Sequence, residues 1–429
     1  MNSTDLNRTQ YHCQKMRILL IGYNFSPEPT GIGKYSGEMM EWLAKKGNAC
    51  TALTAYPYYP YWKVQEPYNS FRYLYKTERT SFKSGGSLTV CRCPMYVPNE
   101  PSGLKRVFLD LTFLLSAFFK MFHLLLSQKF DRIIVVAPSF QLGLLGVIYS
   151  KFSKAKFMYH VQDMQIEAAQ DLGLIKSRKI INCLFRVEKF IFDRCDVISS
   201  ISIAMINKIA QKSKREVLLF PNWVDTKIFH PLPLENRSDL KKEFGFKSTD
   251  TILLYSGAIG EKQGLDVIIK VAKQMAMNKN LKFVVCGTGP YKQKLQSFAK
   301  ELKVLNVIFL PLQPIEKFNK FLNMADVHLV IQKSDAGDLV MPSKLTTILS
   351  VGGLALITAN RGTSLQMLVE EHKIALVIES ENQAGLYEGI KLAIETENCL
   401  ITKNARAYAE ANLSIESVMN SFEKNIRAC

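Results

Sequence analysis

The chain has 429 residues, of which 47% are apolar and 22% charged, and its net charge is +17. That length exceeds one ordinary domain of about 100–200 residues, and the composition excludes disordered, fibrous and low-complexity classes. The charge directs attention to anionic partners, yet no dense Lys/Arg run, zinc-finger or RNA-recognition signature is present, so nucleic acid is not an expected partner.

Residues 1–15 are polar, lack the apolar centre of a signal peptide and read as a disordered tail, with ordered structure beginning at Met16. Short apolar runs then alternate with helical patterns. Strands are expected at Arg17–Gly22, Ala49–Thr54, Leu88–Cys93, Arg132–Val136, Lys156–Val161, Val197–Ile201 and Glu216–Phe220. Helical stretches between them include Lys34–Lys46, Gln141–Phe152, Ser177–Asp193 and Ile203–Gln211, with Gly47 as a C-terminal stop. Continuous Ile/Val/Leu strands joined by helical crossovers predict a parallel sheet covered on both faces. The nine cysteines are unpatterned and suit a reducing compartment; Cys91 and Cys93 alternate along a strand and read as core thiols.

Leu104 to Phe130 is long enough to span a bilayer, which takes about 20 apolar residues. Asp110, Lys120 and His123 interrupt it, and a charge at mid-bilayer is costly. With Lys105, Arg106, Lys120 and Lys129 among Leu and Phe, two readings stay open: a helix lying on an anionic membrane surface, and a helix buried against the first sheet.

Pro221 to Asp239 is rich in proline and polar residues and reads as a linker. The alternation restarts at Thr251–Gly257, Leu281–Gly287, Asn306–Pro311, Asp326–Ile331, Gly353–Thr358 and Ile374–Ile378. The expected architecture is α/β, two doubly wound Rossmann-like domains: 16–222, a linker 223–240, and 241–405, with C-terminal helices 406–429 returning to the first domain. Ligands in such sheets bind beyond the carboxyl ends of the strands, so two domains facing each other predict a cleft.

Glycine turns mark those ends. Gly31, Gly33 and Gly37 follow the first strand, but eight residues separate Gly22 from Gly31 and the second strand ends "TALTAYP" without an acid. Both features oppose a dinucleotide fingerprint, leaving a plain strand-to-helix turn or an anion site at a helix head. In the second half, "YSGAIGEKQG" offers Gly257 and Lys262, and "VVCGTGPY" offers Gly287 and Gly289 before a helix. "MPSKLTTILSVGG" opens a helix with Ser343 and Lys344; Ser343 either caps it or contacts phosphate. Three helix heads and two lysines in one half point to a phosphate-rich ligand. In the first half, His160 and Asp163 close a strand, followed by Glu167; a histidine there is either structural or placed at the chemistry.

As a set, the Gly31-Ile32-Gly33 loop, the His160 strand end, "PNWVD", "SGAIGEKQG", "CGTGP" and "PSKLTTILSVGG" resemble the retaining family-four glycosyltransferases of the GT-B fold. "HVQDMQIEAA" and "YSGAIGEKQGL" most resemble the colanic-acid-type fucosyltransferases of exopolysaccharide assembly. The resemblance implies a nucleotide-diphosphate sugar, GDP-fucose for that subfamily, held by the second domain, with Lys262 at the diphosphate, Gly31 and Gly33 in the closing loop, and His160 beside the transferring sugar. The basic charge and the Leu104–Phe130 helix suit a polyprenyl-diphosphate-linked saccharide as acceptor and a cytoplasmic enzyme on the inner membrane face, and no cofactor is expected. No Asp-x-Asp box is evident, so metal-independent transfer is expected. Departures are Ala258, where the family carries arginine, and Leu339 and Thr347, where it carries paired acids; Asp335 and Asp338 are the nearest acids and Lys344 the nearest alternative cation. A sugar-nucleotide epimerase and an inactive nucleotide-sugar-binding protein are the alternatives.

Overall fold

The computed structural model describes residues 15–29, 31–171, 175, 177–333 and 342–428. The expected tail at 1–15 lies outside the described residues except for Lys15. Two compact units emerge: Met1–Ser200 with Lys208–Leu218 and Glu423–Cys429, and Ile201–Asn207 with Leu219–Phe422.

The first unit is built on β1 (Arg17–Ile21), α1 (Gly31–Lys45), β2 (Ala49–Ala55), β3 (Lys76–Ser81), β4 (Ser87–Cys93), α2 (Gly103–Ser127), β5 (Arg132–Ala137), α3 (Leu142–Ser153), β6 (Lys156–Val161), α4 (Gln165–Asp171), α5 (Arg178–Phe192), β7 (Val197–Ser200), α6 (Ile203–Ser213) and β8 (Leu218–Leu219). Its sheet runs β3-β4-β2-β1-β5-β6-β7-β8. Pairings from β4 to β7 are parallel, and β1 and β5 are buried along nearly their whole length, as strands covered on both faces must be. The strand order reverses between β2 and β5 around β1, so the segment after β1 lies at the topological switch point. Cys91 and Cys93 are buried thiols of β4, raised in pKa by burial. The antiparallel edge strand β3, "KTERTS", is polar and mostly exposed, and no apolar alternation announces it. In the same unit the Arg132 guanidinium donates to the Ile426 carbonyl at 2.8 Å.

Helix α2 turns one stripe inward: Leu109, Asp110, Phe113, Ala117, Met121 and Leu124 are buried, at helical spacing. It packs on β2, β4 and α3. Asp110 belongs to this inner stripe, accepts a hydrogen bond from Gln165 at 3.0 Å, and has its carboxyl pKa raised by burial. The opposite stripe is solvent-facing and apolar, including Leu104, Phe108, Leu111, Leu115, Phe119 and Phe122. Among the described helices, α2 alone is long and apolar enough to cross a membrane by length and composition.

The second unit continues with α7 (Arg237–Glu243), β9 (Thr251–Ser256), α8 (Asp266–Gln274), β10 (Leu281–Cys286), α9 (Lys292–Glu301), β11 (Val307–Leu310), α10 (Ile315–Asn323), β12 (Val327–Val330), α11 (Ser343–Ser350), β13 (Ala355–Thr358), α12 (Ser364–His372), β14 (Leu376–Ile378), α13 (Gln383–Glu395), α14 (Cys399–Tyr408) and the first half of α15 (Ile415–Ala428), which from Glu423 onward belongs to the first unit. Its six strands are all parallel, in the order β11-β10-β9-β12-β13-β14. The switch point here lies between β9 and β12. The core joins the buried faces of β9, β10 and β12 to Leu265, Ile268, Ile269 and Ala272 around α8. Across the end of the expected linker 223–240, α7 forms and packs Leu240 against Phe321 and Leu322. Lys241 at 2.8 Å ties it to Asp326, while Asp326 accepts the Ile252 amide at 2.7 Å.

Candidate functional site

The segment between β1 and α1 is occupied by its own side chain. Glu28 is buried, and its carboxylate accepts the backbone amides of Tyr58 (3.1 Å) and Tyr59 (3.0 Å) and the Asn24 side-chain amide (2.9 Å). Burial raises its pKa, partly offset by those three donors. A Cβ on Gly33 would sit 2.3 Å from Glu28 Oε2, so this glycine is explained by internal packing. Gly31 opens α1 with φ +64°, two residues before the spot where Glu28 presses in, and α1 begins there rather than at Lys34.

His160, next to last in β6, is almost fully buried and shares a 2.8 Å hydrogen bond between Nδ1 and Ser199 Oγ on β7. Burial lowers its pKa to about 3, so the ring is neutral at physiological pH. Asp163, three residues on, is exposed. Glu167 and Glu188 both accept from Lys212, a charge triad linking α4, α5 and α6.

In the second unit the two glycine turns interlock. Gly257 donates to the Cys286 carbonyl (3.0 Å), Ile259 to Thr288 (2.9 Å) and Tyr291 to Ile259 (3.2 Å). A Cβ on Gly287 would lie 1.9 Å from the Gly257 carbonyl oxygen, and one on Gly289 would lie 2.2 Å from that of Ile259. Both glycines have φ +155°, a conformation other residues rarely adopt. The turns after β9 and β10 thus form one rigid backbone surface at the switch point.

Lys292, which the sequence reading did not single out, lies at the head of α9 and donates to the Gly287 carbonyl at 3.0 Å. A Gly-Pro-x-Lys order after the strand is its only signal. Lys262 belongs to the 3-10 turn Glu261–Gln263; its side chain, like Asp338, lies outside the described residues. Gly260 donates to Gln263 Oε1 at 3.0 Å and closes that turn.

Lys344 is the second residue of α11. Its ammonium nitrogen is shut off from solvent, has no hydrogen-bond partner among the described residues and stands 3.8 Å from the centre of the Tyr255 ring. Burial lowers its pKa to about 7. The helix head has no side-chain cap: Pro342 occupies the N-cap position, so Ser343, exposed at the first helical position, does not cap it. The first amides are open to an external acceptor. Thr347 is half-buried one turn along. The structure therefore groups Gly257, Gly287, Gly289, Ser343 and Lys344 around the β9 end of one sheet, with Lys292 added. Gly31, Gly33, His160 and Asp163 belong to the other unit. Among the described residues, no group of three His, Cys, Asp or Glu converges to hold a metal ion.

Two Rossmann-like sheets, the second with backbone-lined turns, an uncapped helix head and a buried lysine at its switch point, define an α/β protein suited to a phosphorylated ligand. Residues 236–412 match the family model for glycosyl transferases group 1. Over 424 residues the chain is 39% identical to WcaI of Escherichia coli strain K12, a glycosyl transferase named for colanic acid biosynthesis, covering 96% of this chain and 100% of that one. The chain belongs to the group 1 glycosyl transferases. Sucrose-phosphate synthase of Thermosynechococcus elongatus superposes with a TM-score of 0.71 at 16% identity, covering 96% of this chain and 99% of the other. Anabaena HepE, solved with UDP and glucose, gives 0.66 at 14% identity, covering 96% and 100%. These two likenesses carry the fold, GT-B.

Proposed function

We propose that the protein moves a sugar from a nucleoside diphosphate donor to a saccharide carried on polyprenyl diphosphate. The setting is colanic-acid-type exopolysaccharide assembly on the cytoplasmic face of the membrane. The observation that carries the reading is the interlocked pair of turns after β9 and β10 beside the uncapped head of α11. Negative charge builds on the departing diphosphate as the sugar becomes oxocarbenium-like. Donors fixed at that position stabilise the transition state more than the ground state. Lys262 and Lys344 supply charge to this surface, with Ser343 and Thr347 beside them. Asp338 and the glycines of the α1 head complete the donor contacts in this reading. His160, being neutral, serves by hydrogen bonding, and Asp163 extends beyond the strand end it shares. Retention of configuration and independence from metal ions are part of the proposal. GDP-fucose is the donor that the resemblance of "HVQDMQIEAA" and "YSGAIGEKQGL" to the colanic-acid-type fucosyltransferases implies.

The membrane part rests on α2. Its outward stripe runs apolar from Leu104 to Leu126 with the exposed His123 as an interruption, Asp110 is turned inward, and Lys105, Arg106 and Lys129 are exposed around it. Such a helix buries its apolar face at the headgroup boundary and is held by anionic lipid. Two measurements test the reading. Supplying GDP-fucose with a lipid-linked saccharide should release GDP and label the acceptor; no nucleoside diphosphate released from any sugar donor would refute it. Co-sedimentation with anionic vesicles should weaken as salt rises; no binding at low salt removes the membrane face.

A further inference from the structure

The second unit holds a cavity of about 370 Å³, within the range of ligand pockets, and its described lining residues all belong to that unit. It lies at the carboxyl ends of three neighbouring strands: Gln332 follows β12, Asn360 follows β13 and Ser380 follows β14. Parallel sheets of this kind bind ligands beyond those ends. Strands β13 and β14 stand two and three places from β9, about 10–15 Å at about 4.8 Å per strand, so the cavity is set to one side of the interlocked turns. Its opposite wall is the π-helical turn Ala409–Leu413 with the start of α15. Single π turns are rare and recur at functional sites. This one is fastened in place. Val224 donates to the Leu413 carbonyl at 2.8 Å, Ile415 donates to the Val224 carbonyl at 3.2 Å, and Arg406 donates to the carbonyls of Phe229 (3.0 Å) and Thr226 (3.3 Å). The wall is therefore preformed.

The lining decides the kind of ligand. Gln332 engages Thr358 Oγ1 through its backbone amide (2.8 Å) and carbonyl (2.9 Å), and Asn360 accepts from Thr363 Oγ1 at its backbone carbonyl (2.7 Å). Both residues are half-buried, and neither side-chain amide has a hydrogen-bond partner among the described residues. A side-chain amide offers donors and an acceptor together, the complement of neighbouring hydroxyl groups. Leu365, Leu368 and the Tyr408 ring supply apolar surface, the ring being held 4.8 Å from that of His372. Lys333 is the one charged residue of the described lining. Phosphate recognition relies on charge-assisted bonds from several donors. Amides and apolar faces instead suit an uncharged ring with hydroxyls on its rim and C–H groups on its faces. We propose that this cavity binds a sugar ring of the acceptor saccharide, other than the ring that receives the transferred sugar. That the saccharide is the acceptor rests on the functional reading above; the fit to a sugar ring rests on the lining alone.

The test is saturation-transfer NMR of the full chain with D-glucose, D-galactose, D-mannose, L-fucose and N-acetyl-D-glucosamine. It compares wild type, the double variant Gln332→Ala with Asn360→Ala, and Ser380→Trp, which puts an indole into the cavity. Wild type should bind at least one of these sugars. The double variant should bind it at least tenfold more weakly, and S380W should not bind it. The alanines remove no backbone bond, so the denaturation midpoint of the double variant should not move, and its affinity for GDP and UDP should stay within twofold. In the transfer assay above, the acceptor KM of the double variant should rise at least fivefold at unchanged donor KM. Equal sugar binding in all three proteins, displacement of the sugar by GDP or UDP, or no binding of any sugar by wild type would overturn the site. A rise confined to the donor KM would overturn its assignment to the acceptor. Failure of wild type to bind GDP and UDP while the sugar still binds would refute the donor reading and leave the cavity a sugar site.

Discussion

The head of α1 and the turns after β9 and β10 look alike as text, each a glycine cluster between a strand and a helix at a sheet's switch point. They differ in what fills them. Beside α1 the close approach is made by Glu28, a carboxylate of the same loop whose oxygens already accept three donors. In the second unit the close approach is made by backbone against backbone, and the nearby cation, Lys344, is left without an acceptor. A glycine cluster therefore signals only that something comes close. Whether that something is internal or a ligand depends on which charges remain unmet.

The contrast is exposed most strongly by Gly287→Ala. The new methyl would meet a carbonyl oxygen at 1.9 Å in a backbone conformation unfavourable to alanine. Overpacking and backbone strain together should cost about 3 kcal/mol or more, read as a fall in the denaturation midpoint. Glu28→Ala should cost about 2 kcal/mol by stranding the buried amide of Tyr58 and the part-buried amide of Tyr59, yet leave nucleoside diphosphate affinity within twofold. A large loss of affinity in that variant would mean that the Glu28 carboxylate, and not only the glycines beside it, serves the donor. Lys262→Ala should behave the other way, with turnover at least tenfold lower and an unchanged midpoint; wild-type turnover would remove it from the mechanism.

Two smaller effects follow pH. Lys344 has a folded pKa near 7 against about 10.4 unfolded. Between those values the unfolded chain binds more protons, so this group makes stability rise with pH from about 7 to 10. K344M should flatten that slope in midpoints taken at pH 7 and 9. His160, folded near 3 and unfolded near 6.5, also binds its proton mainly in the unfolded chain, so its contribution is lost as pH falls from about 6.5 to 3. His328 titrates in the same window, so His160→Asn should reduce the acid sensitivity only in part.

Much of the fold was legible because parallel strands buried on both faces must be continuous apolar runs, and "RILLI", "TILLYS" and "LKFVVC" are such runs. Strand β3 was not legible, since a polar edge strand has no buried face to mark its register. Helix α7 was hidden by the proline-rich stretch before it; what orders it is packing on Phe321 and Leu322 and the Lys241–Asp326 pair, over eighty residues away in sequence. Of the site, the glycines and Lys344 could be picked out from strand-turn-helix order alone. Their different meanings could not, nor could the role of Lys292.

The sequence by itself determined which apolar segments are strands, where turns must admit a backbone, and that the chain carries excess positive charge, because these depend on local periodicity, residue shape and composition. Only the tertiary structure decided that Glu28 fills one glycine turn, that His160 is neutral beside Ser199, and that Lys344 is enclosed over the Tyr255 ring with no hydrogen-bond acceptor among the described residues. Desolvation and pairing are properties of neighbours brought together across the sheets, and no local pattern encodes them.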